Sequence, residues 1–436
     1  TLSHTGSMAG ADAVYDAALR QCGAIRVHTI EEVFDFCKAF ASVSHLQGRR
    51  VAIVTNSGGP GVLAADRAEE VGLDVAEPSS ALKENLAEFL PTHYALKNPV
   101  DLTVEGTEEE YRETLLAVLQ EYDAALALNI ATPYLDSVAL ARGVCDAAEQ
   151  SDKPLAAAFL PRQIVAQSIA YLEERGVPNF ATGERATTAL ARMADYGLRM
   201  VDDGWQIAND KLQFASERLP GDGQMLEPVA MAWLRKNGIP TPEFRFAETS
   251  DETVQGCREI GYPVVIKVVS SDILHKSDVG GVILDVGGDE AARDAFRAIE
   301  QAAAGKDLQG VVIYPMIEDV QEVLLGLSRD PQFGPVVAFG LGGIYTEVWR
   351  DIVLRVAPVD RAEAECMIRE IRSYPLLKGV RGQTSRDLDA LADVLVKFSQ
   401  LPFRYPEIGE IDLNPVFLLA QGLVVGDVRV IRQTKE

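Results

Sequence analysis

Residues 264–285, VVIKVVSSDILHKSDVGGVILD, put a lysine and a histidine where both could act on a phosphate. The run 264–269 alternates as a strand and carries Lys267 on one side. A polar loop follows, with His275 beside Lys276, Ser277 and Asp278. Gly280 and Gly281 then lead into a second apolar run at 282–285, so the segment reads as a hairpin with an oversized, glycine-hinged tip. A lysine fixed on a strand holds phosphate as a point charge. A histidine on a mobile tip can accept a phosphoryl group as a nucleophile and carry it away.

Four further stretches have site-like chemistry. In TNSGGPGVLAAD (55–66) a buried strand ends at Thr55, and Asn56, Ser57, Gly58 and Gly59 form a glycine-rich turn into a helix. Backbone amides at a helix N-terminus bind anions. The spacing is neither a Walker A loop nor GxGxxG, and a plain tight turn is the alternative. In SHTG (3–6), His4 stands between hydroxyls just before a helical pattern, either as an exposed residue or as a second reactive imidazole. His28, His45 and His93 lack such surroundings and read as structural or surface residues. In GEIDLNP (409–415), Glu410, Asp412 and Asn414 share one face of a strand that Pro415 is expected to end. Asp427, in the following strand VVGDVRV (424–430), can meet that face. Such oxygens suit Mg²⁺ beside nucleotide phosphates, the alternative being a solvated edge. Lastly, 322–343 begins with Glu322 and ends on Gly340, Gly342 and Gly343, with Glu347 and Arg355 beyond. Together with Lys267 and the acidic hairpin, this suggests a nucleotide clamped between two sheets.

The elements that must hold these groups come in three regions within 436 residues. Residues 1–43 are mainly helical, at 11–22 and 29–41, with Thr29 as N-cap ahead of Glu31 and Glu32. Residues 44–200 alternate apolar strands (50–55, 124–131, 154–160, weaker ones near 73–75 and 178–180) with helices at 60–71, 107–121 and 136–151. That alternation predicts a parallel sheet covered on both faces, of flavodoxin-like size. Residues 201–222 read as a linker. From 223 to 436 strands gather in pairs, 263–269 with 281–286 and 311–315 with 321–328, followed by 335–339, 352–357, 408–413 and 423–430, an α+β pattern.

Composition removes several function classes. A formal net charge of −24 argues against nucleic acid and anionic membranes, since both need a positive face. No apolar run approaches the roughly 18 residues that span a bilayer. The five cysteines form no CxxC and no metal-ligand spacing, which fits reduced thiols in a cytoplasm.

Taken together, these motifs resemble the ADP-forming acyl-CoA synthetases, the acetate–CoA ligase family and relatives of succinyl-CoA synthetase. Residues 223–436 resemble the family's ATP-grasp domain through GIPTP (238–242), GYPVVIKVVSSDILHKSDVGGV (261–282), EVLLGLSRDPQFGPVVAFGLGGIYTEV (322–348) and EIDLNP (410–415). Residues 44–200 look like its flavodoxin-like domain through VAIVTNSGGPGVLAAD (51–66) and NPVDLT (98–103). Residues 1–43 look like the tail of its CoA-ligase domain.

The resemblance implies roles. His4 and His275 match two phosphate-carrying histidines, and Asn56, Ser57, Gly58 and Gly59 the cradle of the phosphohistidine. Lys267, Gly280, Gly281, Glu318 and Glu322 match nucleotide contacts, and Asn414, Asp427 and Asp412 the Mg²⁺ site. The implied reaction joins a small carboxylic acid such as acetate to CoA with ATP, releasing ADP and phosphate through acyl phosphate and phosphohistidine. A homo-oligomer is expected, as is a need for the family's N-terminal CoA-binding region or subunit, which the sequence lacks. Two other readings compete: an ATP-grasp ligase without a histidine relay, and a non-catalytic synthetase-like module of a lysine acetyltransferase.

Overall fold

The computed structural model describes residues 11–42, 46–202, 214–221, 225–273, 276–342, 351–379 and 384–433. They divide into two compact units, Gly23–Gln206 and a second formed by Thr1–Cys22 together with Ile207–Glu436. The expected helical region 1–43 is therefore shared between them. Helix Ile30–Ser42 belongs to the first unit, with Thr29 Oγ1 accepting from the Glu32 amide at 3.1 Å as its cap. Helix Ala11–Gln21 belongs to the second.

In the first unit β1 (Val51–Thr55), β2 (Ala95–Leu96), β3 (Val100–Asp101), β4 (Ala124–Ile130) and β5 (Leu155–Leu160) form a sheet in the order β2-β3-β1-β4-β5. Only β2 runs antiparallel to its neighbour. Side chains alternate across the sheet and both faces are buried. Val51, Ile53, Leu126 and Leu128 face helices Gly58–Glu70 and Gly183–Asp202, while Ala52, Val54, Ala125 and Phe159 face Glu108–Glu121 and Ser137–Glu149. The weak strands expected near 73–75 and 178–180 are single parallel bridges, Arg50 to Asp74 and Ala157 to Asn179.

The second unit holds two sheets among its described residues. One contains β6 (Arg245–Ala247), β7 (Val264–Ser270), β8 (Val282–Val286) and β9 (Leu308–Pro315) in the order β6-β9-β7-β8. Helices Ser250–Ile260 and Asp289–Ala302 cover it through Val254, Phe296 and Ile299. The other contains β10 (Gln321–Asp330), β11 (Gly334–Leu341), β12 (Ile352–Val356), β13 (Ile408–Leu418), β14 (Leu423–Val425) and β15 (Arg429–Arg432). It is antiparallel, with helix Leu388–Arg404 packed on it. Its edge strand β12 is met by Gln21, whose side-chain amide accepts from Val356 N at 2.6 Å and donates to Val356 O at 3.0 Å.

Three expectations change here. The runs 311–315 and 321–328 are not a hairpin. After β9 the chain turns through Asp319, at φ +51°, and β10 joins the other sheet. Pro415 does not end its strand either. Asn414 and Pro415 together lie opposite Leu324 in a bulge, so the missing N–H of proline breaks no ladder bond and β13 runs on to Leu418. The run 423–430 is two strands, and Asp427 sits in the break between them.

The hairpin β7–β8 pairs as expected, with Lys267 opposite Val282. Gly280 supplies the left-handed turn at φ +71°, and Gly281 lies so close to β7 that an added Cβ would stand 2.5 Å from Val268 Cγ1. Gly281→Ala should therefore destabilise the fold by about 1–3 kcal/mol through overpacking, measured by denaturant unfolding. Val268→Ala in the same chain should recover most of that loss. A double variant no more stable than the single one would mean that the contact is not the source.

Candidate functional site

Lys267 shares its face of β7 with Val265 and Val269, which pack into the core of the second unit. Its ammonium donates to the carbonyl of Gly426 at 2.6 Å and lies 3.5 Å from Glu227 Oε1 and 3.7 Å from Asp427 Oδ2. The Gly426–Asp427 break is itself fixed, because both residues point their amides at the carbonyl of Pro415, at 2.8 and 3.3 Å. The bulge in β13 thus sets where Lys267 and Asp427 meet. Asp412 and Asn414, on the face of β13 away from the core, line the same cleft of about 290 Å³. Ser270, Ile273, Lys276, Asp278 and Arg429 complete much of its wall.

Three groups in this cleft carried no role in the sequence reading: Lys276, Glu227 and Tyr314. The Lys276 ammonium donates to both Asp427 oxygens, at 2.7 and 3.0 Å. It also lies 2.5 Å from Glu227 Oε2, so that it is shared between the two carboxylates. Tyr314 donates to Glu227 Oε1 at 2.8 Å, and the Lys267 ammonium sits 5.1 Å from the Tyr314 ring centre. Two cations and two carboxylates therefore balance in one enclosed place, with Glu227 at only 5% exposure. In the sequence Glu227 reads as an ordinary first-turn acid of helix Glu227–Lys236, and no local pattern marks it.

Each pKa shift is a contest between burial and charge. Burial pushes the Asp427 carboxyl up, but Lys267 and Lys276 outweigh it and hold it below the usual range. Burial likewise pushes Lys276 down, and Asp427 with Glu227 reverses this, leaving it above the ordinary lysine value. The Tyr314 hydroxyl is driven far above its ordinary value, first by burial and then by Glu227.

Not every expected residue joins the cleft. Glu318 is exposed on the loop after β9 and Glu322 is half-buried at the start of β10, where burial raises its pKa. Neither lines the cleft, nor do Gly280 and Gly281. Arg355 is fully enclosed by ion pairs to Glu363 and Glu370, a structural role. His4, His275, Gly343 and Glu347 lie outside the described residues.

In the first unit the turn after β1 has a clear division of labour. Asn56 is buried, and its side chain binds the end of β4, accepting from Ile130 N at 2.8 Å and donating to Ile130 O at 2.9 Å. It fixes the turn. Ser57 leads helix Gly58–Glu70 without a side-chain cap, and Gly58 and Gly59 are exposed there. The first-turn amides of a helix have no intrahelical partner, the arrangement that the expected anion site requires.

Among the described residues no group of three or more His, Cys, Asp or Glu side chains is placed to hold a metal ion. Among the oxygens lining the cleft, the carboxylates of Asp412 and Asp427 and the amide of Asn414 make a donor set that fits Mg²⁺, which keeps several waters and takes few protein ligands.

Asp427→Asn should cost on the order of 3 kcal/mol at neutral pH, because two enclosed lysines would share one carboxylate. The folded-state pKa of Asp427 is depressed, so its stabilisation is present above the ordinary carboxylate value of about 3.9 and fades as pH falls through the lower folded value. The stability gap between wild type and variant should therefore be flat from pH 8 to 5 and narrow below pH 4, read by urea unfolding at each pH. A gap that persists unchanged at the lowest pH would exclude the carboxylate charge as its origin.

The chain matches three known domain families. Residues 218–431 match the ATP-grasp domain family, 51–197 the Ligase-CoA domain family, and 1–40 the succinyl-CoA ligase like flavodoxin domain family. The labels of the two N-terminal regions are thus exchanged relative to the sequence reading. The chain is 35% identical over 441 residues to acetate–CoA ligase [ADP-forming] I of Archaeoglobus fulgidus, covering 98% of this chain and 63% of that protein. It is 48% identical over 211 residues to the beta subunit of acetate–CoA ligase [ADP-forming] I of Pyrococcus furiosus, covering 48% of this chain and 91% of that one. A solved acetyl-coenzyme A synthetase 1 of Ca. Korarchaeum cryptofilum, in complex with coenzyme A and Ca-AMPCP, is 40% identical over 49% of this chain and 95% of its own, with a TM-score of 0.47. The chain spans a little under two thirds of the full-length relative's length. With nearly all of the beta subunit matched at 48% identity, the chain belongs to the ADP-forming acetate–CoA ligase family.

Proposed function

We propose that this chain works in an acid–thiol ligase that makes acyl-CoA from a small carboxylate, CoA and ATP, releasing ADP and phosphate. The observation that carries the reading is the meeting of Lys267, Lys276 and Asp427 in a cleft also lined by Asp412 and Asn414. Phosphoryl transfer asks for fixed positive charge and positioning rather than covalent help from the protein. Lys267, tied to Gly426, offers a point charge that cannot drift. Mg²⁺, held by Asn414, Asp427 and Asp412, would supply neutralisation of the phosphate oxygens.

The histidines carry the group. A His275 imidazole nitrogen attacks the γ-phosphorus of ATP, and the bond to the β-phosphate oxygen breaks to release ADP. The phosphoryl group passes to His4 and then to a carboxylate oxygen of the acid, restoring each imidazole in turn. The CoA sulfur, its thiol proton lost, attacks the acyl carbon, and the C–O bond breaks to leave phosphate. Gly58 and Gly59, with Ser57 and the turn fixed by Asn56, offer backbone amides to the phosphohistidine. Acetate is the proposed acid, after the named relatives. The proposed partner is a CoA-binding region or subunit that this chain does not itself supply.

Incubation with γ-labelled ATP and Mg²⁺ should label His275, in a form labile to acid and stable to base, and His275→Ala should abolish the label. An acid-stable label that survives this substitution would mean that another side chain takes the phosphoryl group, and would remove the relay from this loop.

A further inference from the structure

Glu227 lies on helix Glu227–Lys236, outside every strand and loop that the nucleotide reading uses. Yet it touches both cleft lysines and accepts from Tyr314. Its side chain is 3% exposed, against 26% for Asp427. The two carboxylates are therefore unequal. Asp427 faces the open cleft, while Glu227 is enclosed and anchored from two sides.

Lys276 is shared between them, and this creates a conflict. While its ammonium donates to both Asp427 oxygens, a divalent cation beside them would meet a positive charge at contact distance. We infer that Glu227 is a positioning residue that resolves the conflict: it is the fixed counter-ion onto which Lys276 withdraws when Asp427 turns to Mg²⁺. Lys276 already lies 2.5 Å from Glu227 Oε2, so the move requires reorientation at the head of one side chain and no search for a new partner. Among the described residues no hydrogen-bond donor other than Lys276 reaches Glu227 Oε2, so nothing there competes with Lys276. Oε1, by contrast, is held by the Tyr314 hydroxyl, which keeps the carboxylate from following Lys276 into the cleft. Without Glu227, Lys276 has only Asp427 to neutralise it, and it competes with the metal.

This inference rests on the nucleotide reading above, and the experiment separates the two. ADP binding to the full chain is measured by calorimetry over a range of Mg²⁺ concentrations. Glu227→Gln, which keeps shape and removes charge, should raise the half-saturating Mg²⁺ roughly tenfold, the scale of coupling within one ion-pair network. Lys276→Met should lower that value by less than about twofold in the wild-type background and by roughly tenfold in the Glu227→Gln background, so that the double variant returns near wild type. Tyr314→Phe, which frees Glu227 without removing its charge, should act in the same direction by about threefold and be cancelled by Lys276→Met, and it keeps the test open where Glu227→Gln does not fold. Equal effects of Lys276→Met in both backgrounds would mean that Glu227 acts through space or through the fold, and would overturn the inference alone. No Mg²⁺-dependent ADP binding by the wild-type chain would overturn the nucleotide reading with it.

Discussion

Two ammonium groups and two carboxylates share one enclosed cleft, and their balance constrains everything built around it. Taking charged groups out of water costs several kcal/mol each, and the cost is recovered only if every charge finds a partner. Lys267, Lys276, Glu227 and Asp427 meet that condition through short contacts, a backbone carbonyl and a tyrosine hydroxyl. Such a cluster is poor evidence of stability, because apolar residues of the same volume would hold the core at least as well. Its retention makes sense where the charges face something that also carries charge, as a nucleotide phosphate does.

That cluster depends in turn on a local irregularity. Asp427 reaches Lys267 only because the chain breaks between β14 and β15, and the break is pinned by two amides on the carbonyl of Pro415. The bulge that accommodates Pro415 also leaves Asn414 out of the ladder, on the cleft side of β13. Gly426 completes the arrangement, since a Cβ there would stand 2.5 Å from the Phe417 ring. One proline, one glycine and one unpaired asparagine thus convert a regular sheet edge into a place where two sheets offer polar groups to the same space.

Much of this was legible in the residues. The continuous apolar runs predict β1, β4, β5 and β7 almost to the residue, because strands buried on both faces must be largely apolar throughout and stop where water begins. Lys267, Asp412 and Asn414 also stand out in the sequence, since charged or amide side chains at alternating strand positions have few structural uses, and the structure sets Asp427 3.7 Å from Lys267. Two kinds of feature were not legible. Pairing between distant segments has no local signature, so β9 and β10, neighbours in sequence, read as a hairpin although they lie in different sheets. Nor does Glu227 announce itself. An acid in the first turn of a helix is common for its effect on the helix dipole, and only the fold reveals that it stands 40 residues from Lys267 and 200 from Asp427 in sequence, yet within about 4 Å of Lys267 in space.

The same contrast separates the two candidate phosphate sites of the chain by their chemistry. In the first unit the candidate anion site is made of backbone amides, uncapped at the head of helix Gly58–Glu70 and oriented by a buried asparagine. Backbone donors carry no net charge and need no counter-ion, so the site stays open without a cluster to balance it. In the second unit the donors are ammonium groups, which cannot be enclosed without carboxylates nearby. Those carboxylates must then let go before an anion or metal can use the site. A dipole-based cradle suits a group that is to be held briefly and passed on, whereas a charge-based cleft suits a highly charged nucleotide whose binding has to drive a rearrangement of ion pairs. The division follows from the residue types at each place, glycine and asparagine in one and lysine with aspartate and glutamate in the other.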